Sequence, residues 1–338
     1  MATTGNYSIP SRTRSGLGKT ATIVAVACMI GVLFAGSTIA TPLYVIYKQQ
    51  FGFSQITLTL IYAAWLAELI DDKERSRATV IATMANFTGL GVGALVAGML
   101  AEYVAQPLRT PFVAYLAALV VVAALLAFAR ETVARPQGIA GISVRPRAGV
   151  PASIRSRFVA PAVTGFGAMA LVAFFAALAP SVLALDLHET SHAVAGAIFL
   201  ELAAVVALII ALTRTLSSRT AMLWSLGLML PSLALLVTAQ LTQSMAAMVA
   251  ATAVCGMAAG LGYRGSLQVV NQIAPDDRRA EVISTYFICC FLGNALPVIG
   301  IGVLSSLTSS TVASLVFAVT IAAFAVIALV FGLKYEAT

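Results

Sequence analysis

Charged side chains are scarce in this chain. Asp, Glu, Lys and Arg make up 10% of its 338 residues, and hydrophobic residues make up 60%. A soluble domain of this length would carry roughly a quarter charged residues. The apolar residues occur in long runs separated by short polar clusters, with no room for a soluble domain between them. The composition therefore excludes a soluble globular protein and indicates an α-helical membrane protein.

Histidine and cysteine are scarce too, with two and four residues respectively. The cysteines lie inside apolar runs, without the spacing of metal ligands or extracellular disulfides, and we interpret them as packing residues. They are Cys28, Cys255, Cys289 and Cys290. Both histidines fall in the stretch HETSH at 188–192, which matches the H-E-x-x-H pattern of zinc metalloproteases. Any zinc chemistry therefore depends on this one stretch.

The H-E-x-x-H pattern binds zinc when it lies on one continuous helix, so that His188 and His192 share a face beside Glu189. A third ligand must converge on the metal, and the chain has no other histidine. The alternative is an exposed turn between two spans, in which Thr190 or Ser191 caps the next helix. We favour the turn, expect no metal and no cofactor, and keep a zinc protease as a remote alternative.

Ten apolar runs approach the length of about 20 helical residues that a bilayer core of about 30 Å requires. We therefore predict an all-α polytopic membrane protein whose spans are residues 20–46, 53–70, 79–104, 110–129, 158–185, 193–213, 221–239, 245–267, 281–305 and 311–333. With both termini in the cytoplasm, 18 of the 20 Lys and Arg residues lie in cytoplasmic segments, and Lys48 and Arg109 lie outside. This positive-inside distribution accounts for the net charge of +7, so no nucleic acid partner is expected.

Residues 130–157 form the one long polar stretch, rich in Pro, Gly and Arg, which predicts a cytoplasmic linker. The linker separates an N-terminal bundle of four spans at 1–129 from a C-terminal bundle of six spans at 158–338. An internal repeat relates the two bundles, because RATVIAT at 77–83 resembles RAEVIST at 279–285. Each copy opens with a basic cytoplasmic turn before a span that contains several glycines.

The two bundles differ in length. The repeat has an offset of 202 residues, and the glycines that match at this offset are Gly91 with Gly293 and Gly98 with Gly300. Two prolines near the outer ends of the first spans, Pro42 and Pro180, are instead 138 residues apart. The difference between the offsets corresponds to about two helices and a loop. We therefore predict that the N-terminal bundle lacks one helical hairpin, with the seam within residues 60–70.

The long parallel repeat, the basic central loop and the stretch GLGVGALVAG at 89–98 resemble the major facilitator superfamily. The segments at 41–65 and 262–285 are similar to those of bacterial drug- or metabolite-efflux members. Two family features differ here. The G-x-x-x-D-R-x-G-R-R loop between the second and third spans is absent, together with the fourth-span arginine, and the fifth-span antiporter motif lacks its proline.

The resemblance implies a two-bundle fold with about ten helices in place of the usual twelve. It also implies a monomeric, multi-pass transporter of the bacterial inner (plasma) membrane rather than an enzyme. Such a protein would export a drug, sugar or metabolite by rocking of the two bundles, coupled to protons. Its partners would be the small-molecule substrate, protons and the lipid bilayer. A deleted variant that does not transport is the alternative.

Glu201 is the candidate for proton coupling. It lies about 13 Å into the span that starts near Ala193, at 1.5 Å per residue. An isolated carboxylate at this depth costs several kcal/mol, and such residues usually face a cavity. The alternative is a protonated Glu201 that is hydrogen-bonded to a neighbouring helix.

Further polar residues inside the spans are candidates for lining a substrate cavity, namely Thr38, Thr41, Tyr44, Asn86, Asn294 and Arg264. Hydrogen bonding between helices is an equally good interpretation of the uncharged ones. Arg264 could instead pair with an acid or extend its guanidinium to the interface. The charged cluster Asp276-Asp277-Arg278-Arg279 is a candidate conformational latch, with a solvated turn as the alternative.

The predicted topology can be tested at Ser76, in the basic loop that follows the short span 53–70. In a variant without the four native cysteines, Ser76→Cys should resist a membrane-impermeant thiol reagent in intact cells and react after permeabilisation. Protection is expected because ten spans place this loop in the cytoplasm. Labelling from outside would mean that residues 53–70 do not cross the membrane.

Overall fold

The computed structural model describes residues 24, 27–29, 31, 32, 35, 75–127 and 148–334. Within the two long ranges the chain forms nine α-helices, which are α1 Arg75–Tyr103, α2 Thr110–Ala127, α3 Arg155–Ala177, α4 Ala179–Leu185, α5 His192–Leu212, α6 Ser218–Leu241, α7 Met245–Ile273, α8 Arg279–Leu307 and α9 Ser310–Lys334. Short 3-10 turns at Ala152–Ile154 and Asp276–Arg278 precede α3 and α8.

Seven of the described helices, α1, α3 and α5 to α9, are long and apolar enough to cross a membrane. The apolar part of α2, Thr110–Leu125, is shorter. The predicted span 53–70 and most of 20–46 lie outside the described residues, although the few described residues of the latter are helical. The total of ten spans and the missing hairpin therefore stay predictions.

The predicted single span 158–185 is wrong in one respect, because the structure divides it into α3 and α4 at Leu178. Pro180 lies in the first turn of α4 and cannot donate a backbone hydrogen bond to the preceding turn. The chain is held across the break by Leu178 N, which donates to Phe174 O at 2.8 Å. Proline therefore interrupts the helix, although the apolar run continues.

The helix α7 lies at the centre of the described bundle and packs against α3, α5 and α6. Two of its glycines bring its backbone close to α5. A Cβ atom added at Gly256 would lie 3.0 Å from Leu202 O, and one at Gly260 would lie 3.0 Å from Val206 O. Helices in lipid associate through such close packing of small residues, because lipid and side chains are equally apolar.

The helix α1, which precedes the predicted linker, packs along α5, which follows it. Glycines on both helices make this contact close. A Cβ atom added at Gly91 would lie 2.9 Å from Ala203 Cβ, and one at Gly196 would lie 2.6 Å from Ala94 O. Gly98 faces His192 O at a distance that leaves no room for a side chain. Glycine is therefore required along this helix pair.

The two copies of the sequence repeat form helices of equal length, since α1 and α8 have 29 residues each. Their surroundings differ, because α1 packs mainly against α5 and α8 mainly against α3. Gly293 lies against the backbone of Phe166 in α3. A Cβ atom added at Gly300, the counterpart of Gly98, would have no atom of another described element within 4 Å.

This difference predicts opposite effects of one substitution at the two matched glycines. Gly98→Ala should lower the free energy of unfolding by about 1–3 kcal/mol, because the new methyl group would overlap the backbone of α5. Gly300→Ala should be neutral or stabilise by up to about 1 kcal/mol, because alanine favours the helix over glycine. Unfolding of the purified protein in detergent measures both, and equal effects would contradict the close contact at Gly98.

Candidate functional site

The H-E-x-x-H stretch is divided between a turn and a helix. His188 has a φ of 58°, in the left-handed region, and His192 is the first residue of α5. Ser191 is the N-cap of α5 and accepts a hydrogen bond from Val194 N at 3.2 Å, which confirms the predicted cap. Among the described residues, no three His, Cys, Asp or Glu side chains are grouped as metal ligands. The stretch therefore lacks the continuous helix that zinc binding by this pattern needs.

The first turn of α5 is bound by Glu102, near the end of α1. Glu102 Oε2 accepts hydrogen bonds from His192 N at 2.7 Å, from Ser191 Oγ at 3.1 Å and from Ala193 N at 3.4 Å. His192 Nδ1 lies 3.8 Å from the same oxygen. A helix N-terminus carries unpaired N–H groups and partial positive charge, so a carboxylate stabilises it. Glu102 thus joins the C-terminal end of α1 to the N-terminal end of α5.

Glu102 does not stand out as a functional residue in the sequence. The available signal is an acidic residue at the outer end of the predicted span 79–104, beyond an otherwise apolar run. Its partner His192 is 90 residues further along the chain. No local pattern connects residues so far apart.

Arg264 is buried, with 6% of its surface exposed. Its Nη2 atom donates hydrogen bonds to Arg214 O and Leu216 O, both at 2.9 Å. Those carbonyls belong to the turn between α5 and α6. Arg264, on α7, therefore binds the turn that follows the C-terminus of α5.

The turn between α5 and α6 also borders a polar cavity of about 410 Å³ that is wide open to the outside of the protein, since Arg214, Ser217 and Gln272 on its wall are exposed. The cavity is lined by Arg214, Leu216, Ser217, Ser218, Arg264, Gln268, Asn271 and Gln272. None of these described lining residues is acidic. Cations and neutral polar groups therefore surround the space beside the Arg264 guanidinium.

Glu201 is half-buried and lies on the side of α5 that carries the exposed residues Ala197, Ala204 and Leu208. The opposite side contains Leu202 and Val206, which are fully buried in the core. The structure shows no hydrogen bond or ion pair between Glu201 and any described residue. The interpretation of Glu201 as bonded to a neighbouring helix thus has no support within this part of the chain.

The remaining cavity candidates are not gathered around one point by the described residues. Asn86 lies half-buried on α1, and its Oδ1 atom has no hydrogen-bond partner in the described ranges. Asn294 is exposed on α8. Thr38, Thr41 and Tyr44 lie outside the residues that the structure describes. These five assignments stay predictions.

The charged cluster before α8 forms local ion pairs. Arg279 Nη2 lies 2.8 Å from Asp276 Oδ1, and Arg278 Nε lies 3.9 Å from Glu281 Oε2. Both pairs are three residues apart in sequence and so stay within one turn. Asp277 is exposed, and a role of the cluster as a latch between the bundles stays a prediction.

Comparisons with known proteins agree with the fold. A sequence model of the Major Facilitator Superfamily matches residues 59–297. Two inward-facing crystal structures, one unoccupied and one occupied, of a bacterial homologue of the human lysosomal transporter Spinster are similar in structure. The unoccupied one is 16% identical with a TM-score of 0.56, and the match covers 94% of this chain and 84% of that one.

The occupied structure is 15% identical with a TM-score of 0.57, and the match covers 93% of this chain and 84% of the other. At these identities the likeness shows the fold alone. No curated protein sequence matches the chain significantly. The helices and these matches confirm the predicted all-α fold of the major facilitator type.

The bond network of Glu102 predicts a loss of stability when its carboxylate is removed. Glu102→Ala should lower the Tm of the purified protein, because three donors at the start of α5 lose their acceptor. Asp277→Ala removes an exposed acid at the opposite end of the helices and serves as the matched control, with an unchanged Tm. Equal Tm values for the wild type and Glu102→Ala would contradict the contribution of this contact.

Proposed function

Because the chain belongs to the Major Facilitator Superfamily, we propose that it exports a small molecule by alternating access, coupled to protons. The observation that carries this proposal is the packing of α1 against α5. These helices lie on opposite sides of the predicted linker, and they meet at glycine-sized contacts along their length. The N-terminal bundle at 1–129 and the C-terminal bundle at 158–338 would thus share an interface along which they can move.

The contact of Glu102 supports a gating role for one end of this interface. Its carboxylate binds α5 across the boundary between the proposed bundles, through Ser191 Oγ and the backbone of His192 and Ala193. Rocking of the bundles would separate α1 from α5 at this end, which the charge distribution assigns to the outside, and release these hydrogen bonds. The bonds would then form in the conformation closed to the outside and break in the one open to it.

Glu201 is the proposed proton carrier. Its carboxyl group lies within the apolar helix α5, on the side that the core leaves exposed. A charged carboxylate there costs several kcal/mol, and a proton removes that charge. A cavity that opens to alternate sides would let Glu201 take up a proton on one side and release it on the other.

Charge distribution supports the proposed orientation, because the basic segments favour both termini in the cytoplasm. Membership of the family adds the proposals of a bacterial inner membrane and a monomeric protein. Substrate would bind between the bundles, and Asn86 on α1, whose amide oxygen has no partner among the described residues, is a proposed contact. A drug, sugar or metabolite is the proposed substrate class.

A deleted variant that does not transport is the second candidate. It is favoured by the unequal repeat offsets in the sequence, which predict that the N-terminal bundle lacks one helical hairpin. A bundle without that hairpin would lack part of the wall of a central substrate site. The labelling of Ser76→Cys separates the candidates, because a functional transporter needs residues 53–70 to cross the membrane.

Transport itself is best tested with Glu201→Gln in proteoliposomes under an imposed pH gradient. The probes are ethidium, a radiolabelled sugar and a radiolabelled organic acid, representing the proposed substrate classes. We expect the wild type to accumulate one probe against its gradient, and Glu201→Gln to lose accumulation while it retains exchange of that probe at equilibrium. The reason is that an amide cannot carry the proton.

Glu189→Gln is the matched control for this experiment, because it makes the same change in the turn that precedes α5. It should retain accumulation. Uphill transport by Glu201→Gln that still depends on the pH gradient would remove Glu201 from the coupling role. Absence of accumulation of every probe by the wild type would favour the variant that does not transport.

A further inference from the structure

The polar cavity beside the α5–α6 turn has an excess of positive charge. Arg214 and Arg264 both line it, and its other described lining residues are neutral. Two acids at the start of α8 already have basic partners, since Asp276 pairs with Arg279 and Glu281 with Arg278, and the third, Asp277, does not line the cavity. The described residues therefore supply no carboxylate to balance Arg264.

Arg264 also has unused hydrogen-bonding capacity. Its Nη2 atom is bonded to two turn carbonyls, but Nε and Nη1 have no acceptor among the described residues although they are buried. A buried, charged donor without a partner is costly. Because Arg264 lines the cavity, an anion held there would offset part of that cost through its charge.

The wall of the cavity can supply further donors. Gln268 forms no hydrogen bond in the described ranges, and Gln272 uses its Oε1 atom to accept from Ser218 Oγ at 2.8 Å, so both amide nitrogens can donate. The N-terminus of α6, capped by Ser217, lies at the same cavity. Helix N-termini favour negative charge. Donors thus surround the cavity from the turn, from α6 and from α7.

We infer that this cavity binds a phosphate group, either as free inorganic phosphate or as the headgroup of an anionic phospholipid. A phosphate carries negative charge and several acceptor oxygens, which can satisfy donors from three directions at once. The predicted topology puts the cavity at the cytoplasmic surface, where both sources occur. This site belongs to the predicted C-terminal bundle alone and does not depend on transport.

The variant Gln268→Glu tests the phosphate site. It keeps Arg264 and the side-chain size, but it introduces a carboxylate that neutralises the guanidinium from within the cavity. Arg109→Gln is the matched control, because it changes the net charge by the same amount at an exposed position outside the cavity. Both variants avoid truncating Arg264, whose loss would also release the α5–α6 turn.

Two probes are used on the delipidated, purified full-length protein. Inorganic phosphate is titrated by calorimetry, and phosphatidylglycerol retention is measured by native mass spectrometry against phosphatidylcholine. We expect the wild type and Arg109→Gln to bind at least one probe saturably. In Gln268→Glu the affinity should fall about tenfold to a hundredfold, as expected for loss of a charge-assisted contact.

Each outcome bears on the phosphate site. Binding of phosphatidylglycerol alone identifies a lipid headgroup, binding of inorganic phosphate alone identifies the free ion, and binding of both shows that the phosphate group itself is recognised. Binding of neither probe by the wild type would overturn the inference. An affinity in Gln268→Glu equal to that of Arg109→Gln would also overturn it, because the bound group would then lie elsewhere.

Discussion

Close approach of helix backbones is the constraint on which this structure depends. Apolar side chains have no preference for one another over lipid, so helices in a bilayer stay together where small residues let them pack tightly. The contacts of Gly91 and Gly98 with α5, and of Gly256 and Gly260 with the same helix, meet this requirement. The helix α5 is thereby packed between α1 and α7.

Polar contacts then fix both ends of α5. Glu102 from α1 binds the N–H groups at its start, and Arg264 from α7 binds the carbonyls of the turn that follows its end. A carboxylate at the N-terminus and a guanidinium near the C-terminus each match the sign of the helix dipole. The contacts of Glu102 and Arg264 come from different helices, so α5 is connected to α1 at one end and to α7 at the other.

The positions of the described spans, the Ser191 cap and the family can be predicted from the sequence, because helix length, capping and glycine spacing are local signals. The break in the helix at Leu178 cannot be predicted from the sequence, because a proline near the end of a span is compatible with either one helix or two. Glu102 and the burial of Arg264 depend on partners far along the chain. The positions of the spans along the sequence do not reveal which helix ends meet. They also do not reveal which side of a helix faces a substrate, so Asn86 cannot be ranked against Asn294 as a substrate contact.

Two of the three hydrogen bonds that Glu102 accepts from the start of α5 come from backbone N–H groups, those of His192 and Ala193. A backbone N–H is present whatever side chain the residue carries, except in proline. Substitutions at position 192 can therefore accumulate among related proteins without loosening this contact. The acidic residue on α1 and the hydroxyl of Ser191 are the side chains whose identity matters, and variation at the two histidines carries little information about how the two helices are joined.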